Sequence, residues 1–303
     1  MADFPAYTCG RWQVECRPED GGRLHRLRYA GRDLLTPPPE AFRAPAADHG
    51  VYETRPVYGY DDCFPTVDAG PYPGRNWTAP DHGELCRLPW AVVARPDYLS
   101  CAAVCRMLPL TFSRHLTFGV DTLDWTFRVR NLGRERLPFL HVMHALMPAG
   151  EVVGLALPAC ATLYDEMADV ELPVCAPETL ARELLDAPAG GARMLLLRGV
   201  RCGGLTLTFR DGLRCTISWS RETLPTLGIW WNRRGYPREA GLERDECAFE
   251  PMAGPCSSLA RSHAAGQTQW AEPQSVTEWT IRWRMTAGGV ANYPENPVQP
   301  SEC

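Results

Sequence analysis

The chain has 303 residues, of which 45% are hydrophobic and 22% charged, with a formal net charge of −5. These values are ordinary for a globular protein with a sizeable core and argue against intrinsic disorder. No basic run with interleaved aromatic residues offers a track for phosphates, so we expect no nucleic-acid partner. A leader-like N-terminus and stretches of about 18 apolar residues are both absent, so we expect a cytoplasmic protein without a membrane partner.

The 13 cysteines are scattered, odd in number and without a C-x-x-C pair. We therefore expect buried, reduced thiols rather than disulfides or a metal site.

Lysine is absent, and all 31 positively charged side chains are arginine. This excludes Schiff-base chemistry and the lysine of a nucleotide-binding P-loop. No glycine-rich dinucleotide motif follows a strand, so we expect no cofactor and no metal.

Apolar and polar residues alternate with a period of two along most of the chain, which predicts half-buried antiparallel strands and an all-β fold. The predicted strands are residues 11–16, 23–29, 91–95, 112–118, 123–130, 139–147, 194–197, 205–210, 215–219, 228–231, 247–250 and 279–285. Residues 177–186 alone resemble a helix, with proline at the first position and leucines on one stripe.

No clean linker or internal repeat divides the chain, so we expect a single domain over residues 1–303. Residues 36–80 are rich in Pro, Gly, Asp and Tyr and predict a long loop, of a kind that is often functional. Residues 288–303 predict an extended C-terminal tail.

His82 is the first candidate site residue, because it stands between Asp81 and Glu84 and beside a flexible glycine. A carboxylate neighbour can hold a histidine in one tautomer and direct it at a ligand. The alternative is a solvated polar turn. We include Asp81 and Glu84 with His82 as candidate site residues.

His144 and Glu250 are the next candidates. His141 and His144 lie an odd number of residues apart, so a strand sends them to opposite faces and one site takes at most one of them. Each could instead be a core histidine satisfied by the backbone. Glu250 ends an apolar strand before Pro251, and an apolar setting raises the pKa of a carboxyl group toward the range of a general base.

Two segments resemble walls of a sugar site, because they place aromatic faces beside hydrogen-bonding groups. The first contains Asp61 and Asp62 between aromatic residues, and the second contains Trp230, Trp231 and Asn232. We expect one of the two tryptophans to belong to the core. The candidate substrate-binding residues are therefore Asp61, Asp62, Asp81, Glu84, Trp230 and Asn232.

Taken in order, these segments resemble the galactose mutarotase-like superfamily, which contains the aldose 1-epimerases. The resemblance rests on the opening Gly21-Gly22-Arg23-Leu24-His25, on Asp81-His82-Gly83-Glu84 with Trp90, on Val129-Arg130-Asn131 leading to His144-Ala145-Leu146, and on Phe249-Glu250-Pro251. It runs from about residue 21 to residue 285. No single motif is specific, but the ordered set is.

The resemblance implies a β-supersandwich, catalysis without a cofactor, and a sugar as small-molecule partner of a monomer or homodimer. It implies that Glu250 is the base that removes the anomeric proton and that His144 is the acid that protonates the ring oxygen. His82 would assist near the ring oxygen. The expected reaction is interconversion of the α and β anomers of a free sugar.

The sequence departs from the superfamily pattern around His144, where Met143 precedes it and Ala145 follows it, so the sugar preference stays open. The hexose-6-phosphate 1-epimerase branch resembles His-Gly-Phe-Ala-Arg at the motif that begins with His82, and here the arginine, Arg87, is displaced by one residue. Glu84 would repel a phosphate, which favours a neutral sugar. A carbohydrate-binding or regulatory protein without catalysis is the alternative from another class. A polysaccharide lyase or hydrolase would normally carry a helical toroid, which is absent here.

Overall fold

Strands dominate the computed structural model, which describes residues 6–40 and 52–288. The predicted tail lies outside these residues, apart from residue 288. The strands are β1 (Tyr7–Cys9), β2 (Trp12–Arg17), β3 (Arg23–Tyr29), β4 (Arg32–Asp33), β5 (Tyr60–Cys63), β6 (Gly70–Pro71), β7 (Thr78–Ala79), β8 (Ala91–Ala94), β9 (Tyr98–Val104), β10 (Leu110–Phe118), β11 (Thr122–Asn131), β12 (Leu137–Phe139), β13 (Val142–Ala145), β14 (Val152–Ala156), β15 (Thr162–Asp165), β16 (Val170–Leu172), β17 (Gly191–Arg198), β18 (Gly204–Phe209), β19 (Arg214–Trp219), β20 (Thr226–Arg233), β21 (Asp245–Met252), β22 (Gln269–Ala271) and β23 (Val276–Thr286).

Helices are few and short in the described ranges. The α-helices are α1 (Pro177–Leu185) and α2 (Leu259–Ala264), and single 3-10 turns cover Tyr52–Thr54, Leu85–Arg87 and Ala149–Glu151. In the described chain no helix has the length and apolar character needed to cross a membrane.

Three larger antiparallel sheets form the architecture and confirm the all-β prediction. A six-stranded sheet has the order β1-β2-β3-β5-β13, with β4 on β3. An eight-stranded sheet runs β14-β18-β19-β23-β11-β10-β9-β8, and a five-stranded sheet runs β16-β15-β17-β20-β21. Two small ribbons, β12-β22 and β6-β7, complete the described sheets.

The core forms because each long strand presents alternate residues to one side. In β11 the residues Leu123, Trp125, Phe127 and Val129 are fully buried, and their neighbours are intermediate or exposed. Each such face must be covered, and burying a large side chain contributes about 1.5–3 kcal/mol. Buried apolar residues from both the six- and eight-stranded sheets pack in one cluster, which holds the two sheets together.

The positions of most predicted strands and of the helix are confirmed, but two boundaries were wrong. Residues 139–147 do not form one strand, because the chain leaves β12 after Phe139 and begins β13 at Val142. Pro251 does not stop its strand, since β21 continues to Met252 and Pro251 pairs with Leu227. This is tolerated because β21 is an edge strand of its sheet, where a missing amide donor breaks no ladder.

The six- and five-stranded sheets meet where the site lies. Beyond β13, Met147 exchanges backbone hydrogen bonds of 2.7 and 2.8 Å with Cys247 of β21. The strand bearing His144 therefore runs beside the strand bearing Glu250. Residues more than 100 positions apart in sequence are brought to one surface by this junction.

Candidate active site

One cavity of about 300 Å³ lies over the junction of the two sheets. His82, His144, Glu250 and Trp230 line it, so the structure brings four of the predicted site residues together. The other lining residues were not predicted: Tyr52, Val57, Val67, Asp68, Glu166, Met167, Met194, Tyr236, Arg244, Glu246 and Ser257. The volume is at the lower end of the ~300–1,000 Å³ typical of small-molecule sites, which suits a monosaccharide.

His144 is held by Asp61, its direct partner across the β5–β13 ladder. The Nδ1 atom of His144 lies 3.0 Å from Asp61 Oδ1. An ionised carboxylate accepts the Nδ1 proton, which leaves Nε2 for a ligand. Burial would lower the pKa of His144, but the hydrogen bond and charge of Asp61 outweigh it and raise the pKa above its ordinary value. The raised pKa favours the protonated form of His144, which can donate a proton.

Asp61 is 1% exposed and stays ionised because of its partners. Burial alone would raise its pKa, yet the charge of Arg23 and the hydrogen bond of His144 drive the pKa well below the ordinary range. Arg23 Nη2 lies 3.3 Å from Asp61 Oδ2, and the Tyr52 hydroxyl donates to the same oxygen at 2.7 Å. A permanent negative charge thus sits beneath His144.

His82 faces His144 from a tight loop, with the two ring centroids 5.2 Å apart. Its φ of 58° is left-handed, which is uncommon for a residue other than glycine. Asp81 Oδ1 lies 2.9 Å from His82 Nδ1, and the Tyr52 ring stacks on the imidazole at 3.7 Å. The His82 amide also donates to the Val67 carbonyl oxygen. These contacts hold the ring over the cavity, and within residues 6–40 and 52–288 its Nε2 has no hydrogen-bond partner.

Glu250 is 3% exposed and has no side-chain hydrogen bond among the residues that the structure describes. Burial raises the pKa of its carboxyl group, and the charges of His144 and His82 oppose that rise only in part. A buried carboxylate without a partner is costly, so proteins normally pair it. Because Glu250 lines the cavity, its carboxylate is available to a ligand there.

Trp230 forms a wall of the cavity and is fixed by acidic and basic neighbours. Its indole Nε1 donates to Glu246 Oε1 at 3.1 Å, and Arg244 Nε donates to the same oxygen at 2.8 Å. Tyr236 packs edge-on against the Trp230 ring. Trp231, next along the strand, is 1% exposed, which confirms that one of the two tryptophans is a core residue.

Five of the six predicted substrate-binding residues lie behind the cavity wall instead of in it, and three of these have their polar groups satisfied by partners other than the site histidines. Asp62 is fully buried on the other face of β5, where it binds Arg114, Tyr60 and His141. Glu84 is fully buried and accepts hydrogen bonds from the backbone amides that follow β9, including that of Arg106 at 2.7 Å. The carboxylate of Glu84 therefore binds partners inside the protein, and it is not the group that would repel a phosphate at the cavity.

Asn232 is the third of these residues, and it is fully buried too. Its side chain accepts from the amides of Gly235 and Tyr236 and donates to the Tyr236 carbonyl oxygen. It closes the turn after β20, which positions Tyr236 at the cavity. Asp61 and Asp81 also support the site from behind, each through one histidine.

The sequence analysis did not identify two of the cavity residues, Glu246 and Tyr52, and only Glu246 had a detectable signal. Glu246 lies four residues before Glu250 on β21, so the period of two already placed both carboxylates on one face. Tyr52 comes from a segment without periodicity, and only the folded loop brings it onto His82. A metal could be held by Cys63, His82 and His144, whose ligand atoms all lie within 4.8 Å of one another.

A second cavity, of about 320 Å³, lies beside β3 and β4. Its charged residues neutralise one another, since Arg26 pairs with Asp33 and Arg32 pairs with Glu151. It also contains His25, but unlike the first cavity it has no tyrosine or tryptophan among its described lining residues. We therefore place the candidate active site at His82, His144 and Glu250.

Comparison with solved structures identifies the fold. A protein from Synechocystis aligns with a TM-score of 0.69 and 17% identity, over 95% of this chain and 98% of that one. A candidate aldose 1-epimerase from Escherichia coli also gives 0.69 and 17%, over 93% and 98%. A galactose mutarotase-like protein from Clostridium acetobutylicum gives 0.66 and 15%, over 93% and 94%. The chain has the galactose mutarotase-like fold. No protein-family model and no curated protein matches its sequence.

Proposed function

We propose that the protein interconverts the α and β anomers of a free monosaccharide by acid–base opening and closure of the sugar ring. The observation that supports this most directly is the pairing of opposite groups at one cavity. His144 has a raised pKa because of Asp61, and Glu250 has a raised pKa because of burial without a protein partner. One group can give a proton while the other takes one.

The reaction needs a proton to leave the anomeric hydroxyl and another to reach the ring oxygen. Glu250 accepts the first as its carboxylate, and the Nε2–H of protonated His144 donates the second. The C1–O5 bond breaks to give the open-chain aldehyde, which rotates about C1–C2 and closes on its other face. Closure returns both protons, so the protein ends unchanged. Each positioned proton transfer contributes roughly 10²–10⁴-fold.

The charges around the cavity favour a neutral sugar over a sugar phosphate. Asp68, Glu166 and Glu246 line the cavity in addition to Glu250. Arg244 is the arginine among the described lining residues, and its guanidinium already binds Glu246 at 2.8 Å. A phosphate would meet more negative than positive charge there, which disfavours a hexose 6-phosphate as the substrate.

The test is Glu250→Gln, which removes the base and keeps the shape of the side chain. Exchange NMR on a panel of free and phosphorylated sugars measures the mutarotation rate of both proteins against the spontaneous rate. We expect exchange by the wild type on a neutral sugar and none above background by the variant. Full activity in the variant would rule out the assignment.

Glu246→Gln is the matched control, because the same substitution falls on the same face of β21. Glu246 accepts a hydrogen bond from Trp230, and its charge adds to the raised pKa of His144, so we expect a higher KM and a loss of kcat far smaller than that of Glu250→Gln. Saturable sugar binding by the wild type without anomer exchange on any sugar would instead favour a non-catalytic carbohydrate-binding protein.

A further inference from the structure

Cys63 lies beneath the two site histidines and has no part in the proposed ring opening. Successive side chains of a strand alternate between faces, so Cys63 shares a face of β5 with Asp61. His144 is the cross-strand partner of Asp61, and the neighbouring pair on that face is Cys63 with Val142. The thiol therefore points to the same side as the His144 ring. Its sulfur, one ring nitrogen of His82 and one ring nitrogen of His144 all lie within 4.8 Å of one another.

The hydrogen bonds behind the two histidines leave a matching nitrogen on each. The Nδ1 atoms of His82 and His144 are occupied by Asp81 and Asp61, at 2.9 and 3.0 Å. In the part of the chain that the structure describes, neither Nε2 atom has a hydrogen-bond partner, so both can bind another group. A carboxylate behind each histidine is the usual support for metal-ligating imidazoles, since it fixes the ring and raises its basicity.

We propose that Cys63, His82 and His144 bind a thiophilic divalent ion of the zinc class, and that the ion inhibits the protein by occupying both site histidines. Two imidazoles and one thiolate are a favoured ligand set for Zn²⁺, with bonds of about 2.0–2.3 Å. Those bonds place ligand atoms about 3.5 Å apart, so side-chain shifts of about 1 Å complete the site. Inhibition rests on the proposed function, whereas binding does not.

Metal binding changes the protonation of Cys63 and of His144. Burial raises the pKa of the Cys63 thiol, and the negative charges of Asp61 and Glu250 raise it further. Metal binding reverses this, because the sulfur bonds to the cation as the thiol proton leaves to solvent. His144 also releases its second proton when Nε2 ligates the metal. A water molecule would complete a tetrahedral centre as the fourth ligand.

Titration of the purified full-length protein with Co²⁺ tests binding without any assay of activity. We expect one equivalent to give intense visible d–d absorption and a near-ultraviolet sulfur-to-cobalt charge-transfer band, both removed by Zn²⁺. Cys63→Ala should abolish the charge-transfer band. Cys256→Ala is the matched control, since Cys256 is also buried and packs in the same apolar cluster, and it should keep the band.

His82→Ala provides a second variant that does not depend on changing the buried thiol. It should retain a sulfur-to-metal band but weaken Co²⁺ binding at least tenfold. The absence of a charge-transfer band from the wild type, or its persistence in Cys63→Ala with thermal unfolding unchanged, would overturn the proposal.

The activity arm separates this proposal from the proposed function. One equivalent of Zn²⁺ should abolish wild-type anomer exchange, EDTA should restore it, and Cys63→Ala should keep the basal rate while becoming resistant to Zn²⁺. If the wild type binds Co²⁺ through sulfur but exchanges no anomers, the metal site stands and the proposed function fails. If exchange occurs but Zn²⁺ inhibits wild type and Cys63→Ala equally, the inhibitory site is refuted.

Discussion

Asp61 and Asp62 are adjacent buried carboxylates, and they should respond in opposite ways to the same substitution. Each is at most 1% exposed and pairs with a fully buried arginine and with a histidine, but on opposite faces of β5. Asp61 holds His144 at the cavity, and Asp62 holds His141 in the core. Replacing either with asparagine keeps the volume of the side chain and removes the charge.

Both variants should lose stability to a similar extent. Each leaves a fully buried guanidinium, Arg23 or Arg114, without its carboxylate. Removing one partner of a buried ion pair costs about 3–5 kcal/mol, against a usual free energy of unfolding of about 5–15 kcal/mol. Arg23 keeps a second carboxylate, Asp20, at 2.8 Å, which places the loss for Asp61→Asn at the lower end. Urea unfolding measures both values.

Only Asp61→Asn should affect catalysis. An asparagine offers an amide donor as readily as an acceptor, so it no longer fixes the tautomer of His144. The loss of a charged orienting partner should lower kcat by about 10²–10⁴-fold. It should also lower the pKa of His144 and move the alkaline limb of the activity profile to lower pH. The assay is anomer exchange per folded molecule. Equal losses of kcat in the two variants would refute the proposed Asp61–His144 unit.

Three further outcomes follow from the site. The profile of kcat/KM against pH should be bell-shaped. Its acid limb should lie above the ordinary carboxyl pKa of about 4.3, because the pKa of Glu250 is raised. Its alkaline limb should lie above the ordinary histidine pKa of about 6.5, because the pKa of His144 is raised. Glu250→Gln should raise the melting temperature at neutral pH but not near pH 3. The pKa of Glu250 is higher in the folded protein than in the unfolded chain, so the wild type loses stability as the pH rises between these two pKa values. Gly83→Ala should disrupt the His82 loop and abolish exchange, since a Cβ would lie 1.9 Å from the Phe64 carbonyl oxygen, whereas Gly74→Ala, at a similar φ with open space, should only lose a little stability.

The fold could be predicted from the sequence because its signal is local. Alternation in residues 123–130 and 279–285 is enough to place β11 and β23, and the long strands bury the alternate residues that the pattern indicates. The weak points were segments where tertiary contacts override the pattern. Residues 60–63 form β5 with all four residues buried, because both of its faces are covered, and such a strand has no alternation to detect.

The candidate site was predicted unevenly for a related reason. His82, His144 and Glu250 stood out by residue type at strand ends, and they do line one cavity. Asp62 and Glu84 have the same residue type, but their charges are satisfied by internal partners. A sequence shows that a carboxylate is near an apolar run, but only the packing shows whether it faces a cavity or a buried arginine.

The two aspartate–histidine pairs on β5 and its neighbour show what distinguishes a catalytic pair from a structural one. Both pairs have short contacts, 3.0 Å for Asp61–His144 and 2.9 Å for Asp62–His141. Burial lowers the pKa of His141, the charge of Arg114 acts in the same direction, and Asp62 does not compensate. At His144 the acidic cavity residues Glu250 and Glu246 add to Asp61, and the pKa rises instead. The hydrogen bond and charge of an aspartate are common to both pairs, so the other neighbouring charges distinguish them: they favour the protonated form of His144 and the neutral form of His141.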